Sequence, residues 1–127
     1  MTFPITGSYA AILALMLIVL QTLAIIARAR TDVLFGDGGR MDMLLPMRRH
    51  GNFAEHVPLA LIVLALAEAQ GLSATWLHAA GLTLVLARII HPFGLSEYRR
   101  ALPLRIAGSV GTWIATLIPV AALLGVI

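Results

Sequence analysis

Four long apolar segments dominate the chain and are separated by short polar breaks. They are Ser8 to Ala27, Phe53 to Ala69, Ser73 to Ile90 and Ile106 to Ile127. Each lies in the range of roughly 17 to 25 residues that a helix needs to cross the hydrocarbon core of a bilayer. We extend the second through Pro46, because proline is tolerated in a first helical turn. Gly71 is predicted to stop this helix, and Ser73 to cap the next.

The composition agrees with an all-α integral membrane protein. Hydrophobic residues make up 60% of the chain and charged residues 12%, which leaves too little polar surface for a soluble domain of this length. Residues 1–127 are therefore predicted to form a single domain, a bundle of four transmembrane helices in contact with lipid. The chain has no cysteine, so no protein thiol contributes chemistry. The four histidines do not have the spacing of a metal site, so we expect no bound metal. No segment resembles a module that binds RNA or DNA, so we expect no nucleic-acid partner.

The positions of the arginines predict an orientation. All of the Lys and Arg content is arginine, and it is concentrated in and beside two of the connections: Arg28, Arg30, Arg40, Arg48 and Arg49, then Arg88, Arg99, Arg100 and Arg105. The tail before the first segment, the turn from Gln70 to Ser73 and the C-terminal end carry none. The positive-inside rule then places both termini outside and both basic connections in the cytoplasm. Arginine without lysine indicates a bacterial protein, hence a multi-pass protein of the inner membrane.

A polar stripe interrupts the second apolar region. Arg48, Asn52 and Glu55 stand at positions i, i+4 and i+7, which share one face of a helix. They offer a cation, an amide and an anion over about 10 Å of helix rise. Placing an ionisable group within the hydrocarbon core of a membrane costs free energy, so such groups normally face the interior of a helix bundle or a water-filled cavity. The stripe therefore favours a small polar zwitterion over lipid.

Two motifs resemble a known family, and they read Arg48-x-His50-x-Asn52-x-x-Glu55-x-x-Pro58 and Arg88-x-x-His91. With the glycine-rich stretch after Phe35, they are similar to the MAPEG superfamily, the membrane-associated proteins of eicosanoid and glutathione metabolism, and within it to a short bacterial branch. The resemblance runs from Phe35 through Gly94. It implies a homotrimer of four-helix subunits, with glutathione bound between neighbouring protomers near the cytoplasmic face.

The resemblance also implies roles for individual residues. It assigns glutathione binding to side chains on the second and third helices and the loop that follows: Arg48, His50, Asn52, Glu55, Arg88, His91 and Tyr98. Arg105 matches the arginine that faces the glutathione sulfur in catalytic members. His91 stands where some members have tyrosine, and Leu95 occupies a position where tyrosine is common. Glutathione would be a co-substrate, and a small hydrophobic electrophile the second substrate.

Elementary chemistry is consistent with these roles. Arginine pairs bidentately with carboxylates, of which glutathione has two. Glu55 is able to accept hydrogen bonds from its ammonium group. A thiol reacts as the thiolate, and a guanidinium beside the sulfur lowers the thiol pKa. The expected activity is that of a microsomal-type glutathione transferase or peroxidase in detoxification.

Other interpretations stay open at this point. A non-catalytic protein that binds glutathione or a lipid and regulates a partner is one alternative; a small multidrug transporter ranks last, because its usual carboxylate is absent from Ser8 to Ala27. Arg88 and Glu55 are able to form a structural ion pair instead of a site. His50 and His91 are equally suited to hydrogen-bonding helix ends.

Small residues suggest how the subunits assemble. They recur on the fourth segment and on the first: Gly108, Gly111, Thr112 and Ala115, and Ala10 and Ala14. Such surfaces allow helices to approach closely in lipid. We therefore expect them to contribute to the homotrimer.

Overall fold

A computed structural model describes residues 2–127, which form four long helices. The helices are α1 (Pro4–Thr31), α2 (Met41–Ala69), α3 (Ala74–Gly94) and α4 (Leu102–Leu123). A single 3-10 turn, Arg99–Ala101, leads directly into α4. All four helices are long and apolar enough to cross a membrane. The prediction of an all-α chain with four membrane-spanning helices is therefore confirmed.

The helices extend beyond the apolar segments that predict them. α1 begins at Pro4 and continues through both arginines of its last turn, and α2 begins at Met41 instead of near Pro46. α3 runs past Pro92 to Gly94. Hydropathy marks the part of a helix that matches the hydrocarbon core, whereas backbone hydrogen bonding continues into the polar interface until a residue stops it. Apolarity alone therefore places the ends too close to the membrane centre.

Glycine ends two of the helices by the same hydrogen-bond pattern. At the end of α2, Gly71 has φ +88°, its N–H donates to the Glu68 carbonyl at 3.1 Å, and the Leu72 N–H donates to Ala67 at 3.0 Å. This is the Schellman motif, in which a left-handed residue satisfies the last carbonyls of a helix. Gly125 repeats it, so α4 ends at Leu123 and not at Ile127. Gly71 is the predicted stop, whereas Ser73 lies at the N-cap position without a side-chain capping bond.

The helices form a circuit in the order α1, α2, α4, α3, because each packs mainly against its two neighbours in that order. The central core consists of apolar side chains from all four: Leu13, Leu20, Phe53, Val57, Ala60, Leu84, Val85 and Ala115. The up-and-down course brings the 32–40 and 95–98 connections to one end, which we call the basic end. The Gln70–Ser73 turn, the start of α1 and the end of α4 lie at the other end, which we call the turn end.

Glycines allow α3 and α4 to pack in direct backbone contact. A Cβ built on Gly108 would lie 2.6 Å from the His91 Cβ, and one on Gly111 would lie 2.9 Å from the Ala87 Cβ. Gly94 lies directly against the backbone of Arg105. The small residues on α4 therefore serve the packing of this helix within the chain. Gly108, Thr112 and Ala115 are buried there, so these three residues are not available for contact with another chain.

A polar cluster at the turn end joins α1 to the rest of the bundle. The Glu68 carboxylate accepts hydrogen bonds from the backbone N–H groups of Ile5 and Thr6, at 3.0 and 2.8 Å. These are donors of the first turn of α1, where an acidic group is favoured by the helix dipole. Beside it, the Tyr9 hydroxyl lies 3.0 Å from His78 Nδ1. Glu68 and His78 therefore have structural roles here.

Candidate functional site

A buried arginine connects three helices near the basic end. Arg88 on α3 is 2% exposed. Its Nη1 donates to Asn52 Oδ1 on α2 at 3.0 Å, and its Nη2 donates to the Gly108 carbonyl on α4 at 3.1 Å. Within residues 2–127, no carboxylate lies within ion-pair distance of its guanidinium. Arg88 therefore places an uncompensated positive charge inside the bundle, a costly arrangement that usually serves function.

The bond to Arg88 determines the orientation of the Asn52 side chain. A guanidinium has only donors, so the amide has to present its oxygen to Arg88. The Asn52 NH2 group is then left with two donors for another partner. Asn52 is partly exposed. It therefore connects the buried charge on α3 to the open face of α2.

Arg48 and Glu55 lie on that open face and pair with each other. Arg48 Nη1 is 3.7 Å from Glu55 Oε1, and their side chains are 55% and 54% exposed. The alternative of an Arg88–Glu55 ion pair is therefore wrong, since Glu55 pairs along its own helix and Arg88 bonds to Asn52. An exposed pair at this distance is weak and easily exchanged for a ligand. The three residues of the predicted stripe do occupy one face.

A groove between α2 and α4 begins at this face. It has a volume of about 320 Å³, and its lining includes Glu55, His56, Thr112, Trp113 and Thr116. The Thr112 hydroxyl donates to the Gly108 carbonyl at 2.8 Å, next to the Arg88 bond. The groove is otherwise apolar. It thus joins a charged entrance to a surface suited to a hydrophobic molecule.

His91 and Arg105 meet where α3 and α4 cross. His91 is 3% exposed, and its Cβ lies against Gly108 of α4. Arg105 is held at its backbone by Gly94, while its side chain is exposed. Among residues 2–127 its guanidinium has no hydrogen-bond or ion-pair partner, and it stands at the rim of the buried cluster.

The structure does not bring all of the predicted residues into one cluster. Tyr98 lies in the loop before α4, is 63% exposed, and has the Arg100 guanidinium 4.9 Å from its ring centre. His50 is partly exposed, but it lies only two residues after Arg48, about half a helical turn, and so on another side of α2 from the stripe. Sequence reasoning missed Gly108 and Thr112 as partners of the site. Small-residue spacing singled them out, but only the fold shows that the Gly108 carbonyl accepts hydrogen bonds from both Arg88 and the Thr112 hydroxyl.

Comparison with known proteins identifies the family. The sequence model of the MAPEG family matches residues 6–125. The chain is 30% identical over 118 residues to the inner membrane protein YecN from each of two strains of Escherichia coli, covering 93% of this chain and 88% of YecN. No solved structure matches. A match over almost the whole length, together with four membrane-spanning helices and the motifs on α2 and α3, shows that the chain belongs to the MAPEG family.

Proposed function

We propose that the protein binds glutathione on the face formed by Arg48, Asn52 and Glu55. One observation carries the proposal: an open stripe of cation, amide and anion is backed by the buried, uncompensated Arg88. The two arginines suit the two carboxylates of glutathione, and Glu55 suits its ammonium group. Asn52 has two donors free for peptide or carboxylate oxygens.

The proposed chemistry is formation and attack of the glutathione thiolate. Arg105 stands at the rim of the cluster with its side chain exposed. A guanidinium beside the sulfur stabilises the thiolate. The thiolate then attacks a lipophilic electrophile, so that a thioether forms as the bond to the leaving group breaks, or it attacks a peroxide. In the second case the O–O bond breaks to give an alcohol and a glutathione sulfenic acid, which a second glutathione converts to the disulfide and water. The apolar groove between α2 and α4 offers the electrophile a route from the bilayer. The protein would thus be a glutathione transferase or peroxidase of the microsomal type.

A second candidate is a non-catalytic protein that binds glutathione or a lipid and regulates a partner. Two features favour it. Residue 95 is leucine, so the tyrosine hydroxyl that assists catalysis in some members is missing at this position. The nearby Tyr98 ring stacks on Arg100 in the loop. The two candidates use the same binding face, but only the transferase or peroxidase requires Arg105 to stabilise a thiolate. Thiolate formation therefore distinguishes them.

Glutathione is expected to raise the melting temperature of the wild-type protein by mass action. Arg48→Ala and Glu55→Gln should lose most of that increment, because each removes a charged partner of the ligand. Thermal unfolding in detergent, followed by circular dichroism with and without millimolar glutathione, measures it. Arg40→Ala is the matched control, since Arg40 is also half exposed and paired with a carboxylate at 2.8 Å. Equal increments in all four proteins would disprove the site.

We propose a homotrimer with the α2 stripe at the subunit boundary. A half-exposed ion pair on the outer face of a membrane helix is poorly suited to lipid, and a neighbouring subunit would cover it. Native mass spectrometry from detergent and from nanodiscs should give the mass of three chains. A stable monomer or dimer in both would contradict the assembly.

Both basic connections are proposed to face the cytoplasm of a bacterial inner membrane. Single cysteines replacing Phe35 and Gln70 test this, because both positions are exposed and neither requires a positive φ. The chain has no native cysteine to give background. An impermeant maleimide should label Gln70→Cys from outside intact spheroplasts and Phe35→Cys only after permeabilisation. The reverse pattern would overturn the orientation.

A further inference from the structure

A second groove lies between α1 and α3, on the opposite side of the circuit from the α2–α4 groove. Its volume is about 500 Å³, within the roughly 300–1,000 Å³ of small-molecule sites. Its walls are apolar and include Ile12, Val19 and Leu23 of α1, and Phe93 of α3. Only two charged residues line it, and both are arginines. The groove has the form of an apolar channel with positive charge at one end.

Within residues 2–127, neither arginine of this groove has a negatively charged partner. Arg49 Nη2 donates to the Leu95 carbonyl at 2.8 Å, and the Nε atoms of Arg49 and Arg88 are buried without an acceptor in the part of the chain that the structure describes. The groove contains no carboxylate. Positive charge in a low-dielectric environment is costly unless an anion compensates it. The groove therefore favours a ligand with an anionic head.

The length of the groove matches one leaflet of a bilayer. From Ile12 to Leu23 the wall on α1 rises about 16 Å, close to half of the roughly 30 Å hydrocarbon core. Arg49 lies eight residues after the start of α2, and Leu23 lies eight residues before the end of α1 at the same, basic end. A ligand that extends from Arg49 along α1 would thus have its head toward the basic end and its tail toward the turn end.

We propose that this groove binds a free fatty-acid anion. Its carboxylate would pair with the Arg49 guanidinium, whose planar donors match a carboxylate, and its single acyl chain would lie along α1. The space between two neighbouring helices accommodates one chain over one leaflet. Arg49 does not belong to the stripe of Arg48, Asn52 and Glu55, so the carboxylate position proposed here differs from the glutathione face, and the buried Arg88 lies behind both.

Photocrosslinking of the full chain in phosphatidylcholine nanodiscs tests the proposal. A diazirine-labelled palmitate should crosslink to α1 between Ile12 and Leu23, as mapped by mass spectrometry. Palmitate should compete, and methyl palmitate should not, because the ester carries no charge. Arg49→Gln should weaken competition by palmitate by about tenfold or more, the effect of losing a charge-assisted hydrogen bond.

A second pair of variants tests the groove without touching the arginine. Val19→Trp should fill it and abolish labelling, whereas Ile18→Trp should leave labelling unchanged. The two side chains are 57% and 58% exposed on the same helix, but only Val19 lines the groove. Equal competition by methyl palmitate, or undiminished labelling of Val19→Trp, would overturn the proposal. Stronger competition by phosphatidylglycerol than by palmitate would assign the groove to a phospholipid and also overturn it.

Discussion

Arg105→Leu is expected to lower the rate of glutathione conjugation at neutral pH by at least about tenfold, while glutathione affinity changes by no more than several-fold. The reason is that the guanidinium is proposed to stabilise the thiolate, and each unit of thiol pKa corresponds to roughly 1.4 kcal/mol. Arg48 and Arg88 remain to hold the carboxylates. Ultraviolet absorbance of the thiolate and conjugation of a generic aryl halide, both measured across pH, give the result.

The pH dependence separates this role from a structural one. With Arg105 absent, the folded complex has a higher thiol pKa, so activity should recover partly as pH rises and the thiol ionises unaided. Arg99→Leu and Arg100→Leu are the controls, since both arginines are exposed in the 3-10 turn beside α4 and should leave the pH profile unchanged. An unaltered profile in Arg105→Leu would remove this residue from the mechanism. No thiolate signal in the wild type would favour the non-catalytic candidate.

Gly108→Ala is expected to destabilise the protein by about 1–3 kcal/mol, the usual effect of overpacking a close contact. The new Cβ would lie 2.6 Å from the His91 Cβ and 3.0 Å from the Ala87 carbonyl oxygen. Backbone is not able to yield as a flexible side chain does, so α3 and α4 have to separate. Thermal unfolding in detergent measures the loss.

The same substitution should also weaken the response to glutathione, because the Gly108 carbonyl accepts from Arg88. Gly7→Ala is the matched control: Gly7 is also helical, and a Cβ there meets nothing within 4 Å. Alanine at Gly7 should be neutral or stabilising by up to about 1 kcal/mol through helix propensity. If Gly108→Ala and Gly7→Ala had equal stability, the close α3–α4 contact would not limit the fold.

The sequence was most informative about features that depend on residues close together along the chain. The number of helices follows from apolar length, because the bilayer requires every backbone group to bond within its own helix. Gly71 was identifiable as a stop, because a left-handed residue satisfies the end of α2 locally. The shared face of Arg48, Asn52 and Glu55 follows from helical periodicity alone. Helix ends were less predictable, since they lie in the interface, where hydropathy carries no signal.

Contacts between helices could be decided only by the tertiary structure. Periodicity does not specify which helix a residue faces, so the sequence left open a pairing of Glu55 with Arg88, whereas the fold brings Arg88 to Asn52 and Gly108. The sequence predicted the small residues of α4 as a surface between subunits, whereas the circuit of helices buries Gly108, Thr112 and Ala115 inside the chain. The family motifs are visible in the sequence, but the uncompensated charge of Arg88 is not. Its burial and its lack of a carboxylate partner within residues 2–127 arise only when α2, α3 and α4 pack together.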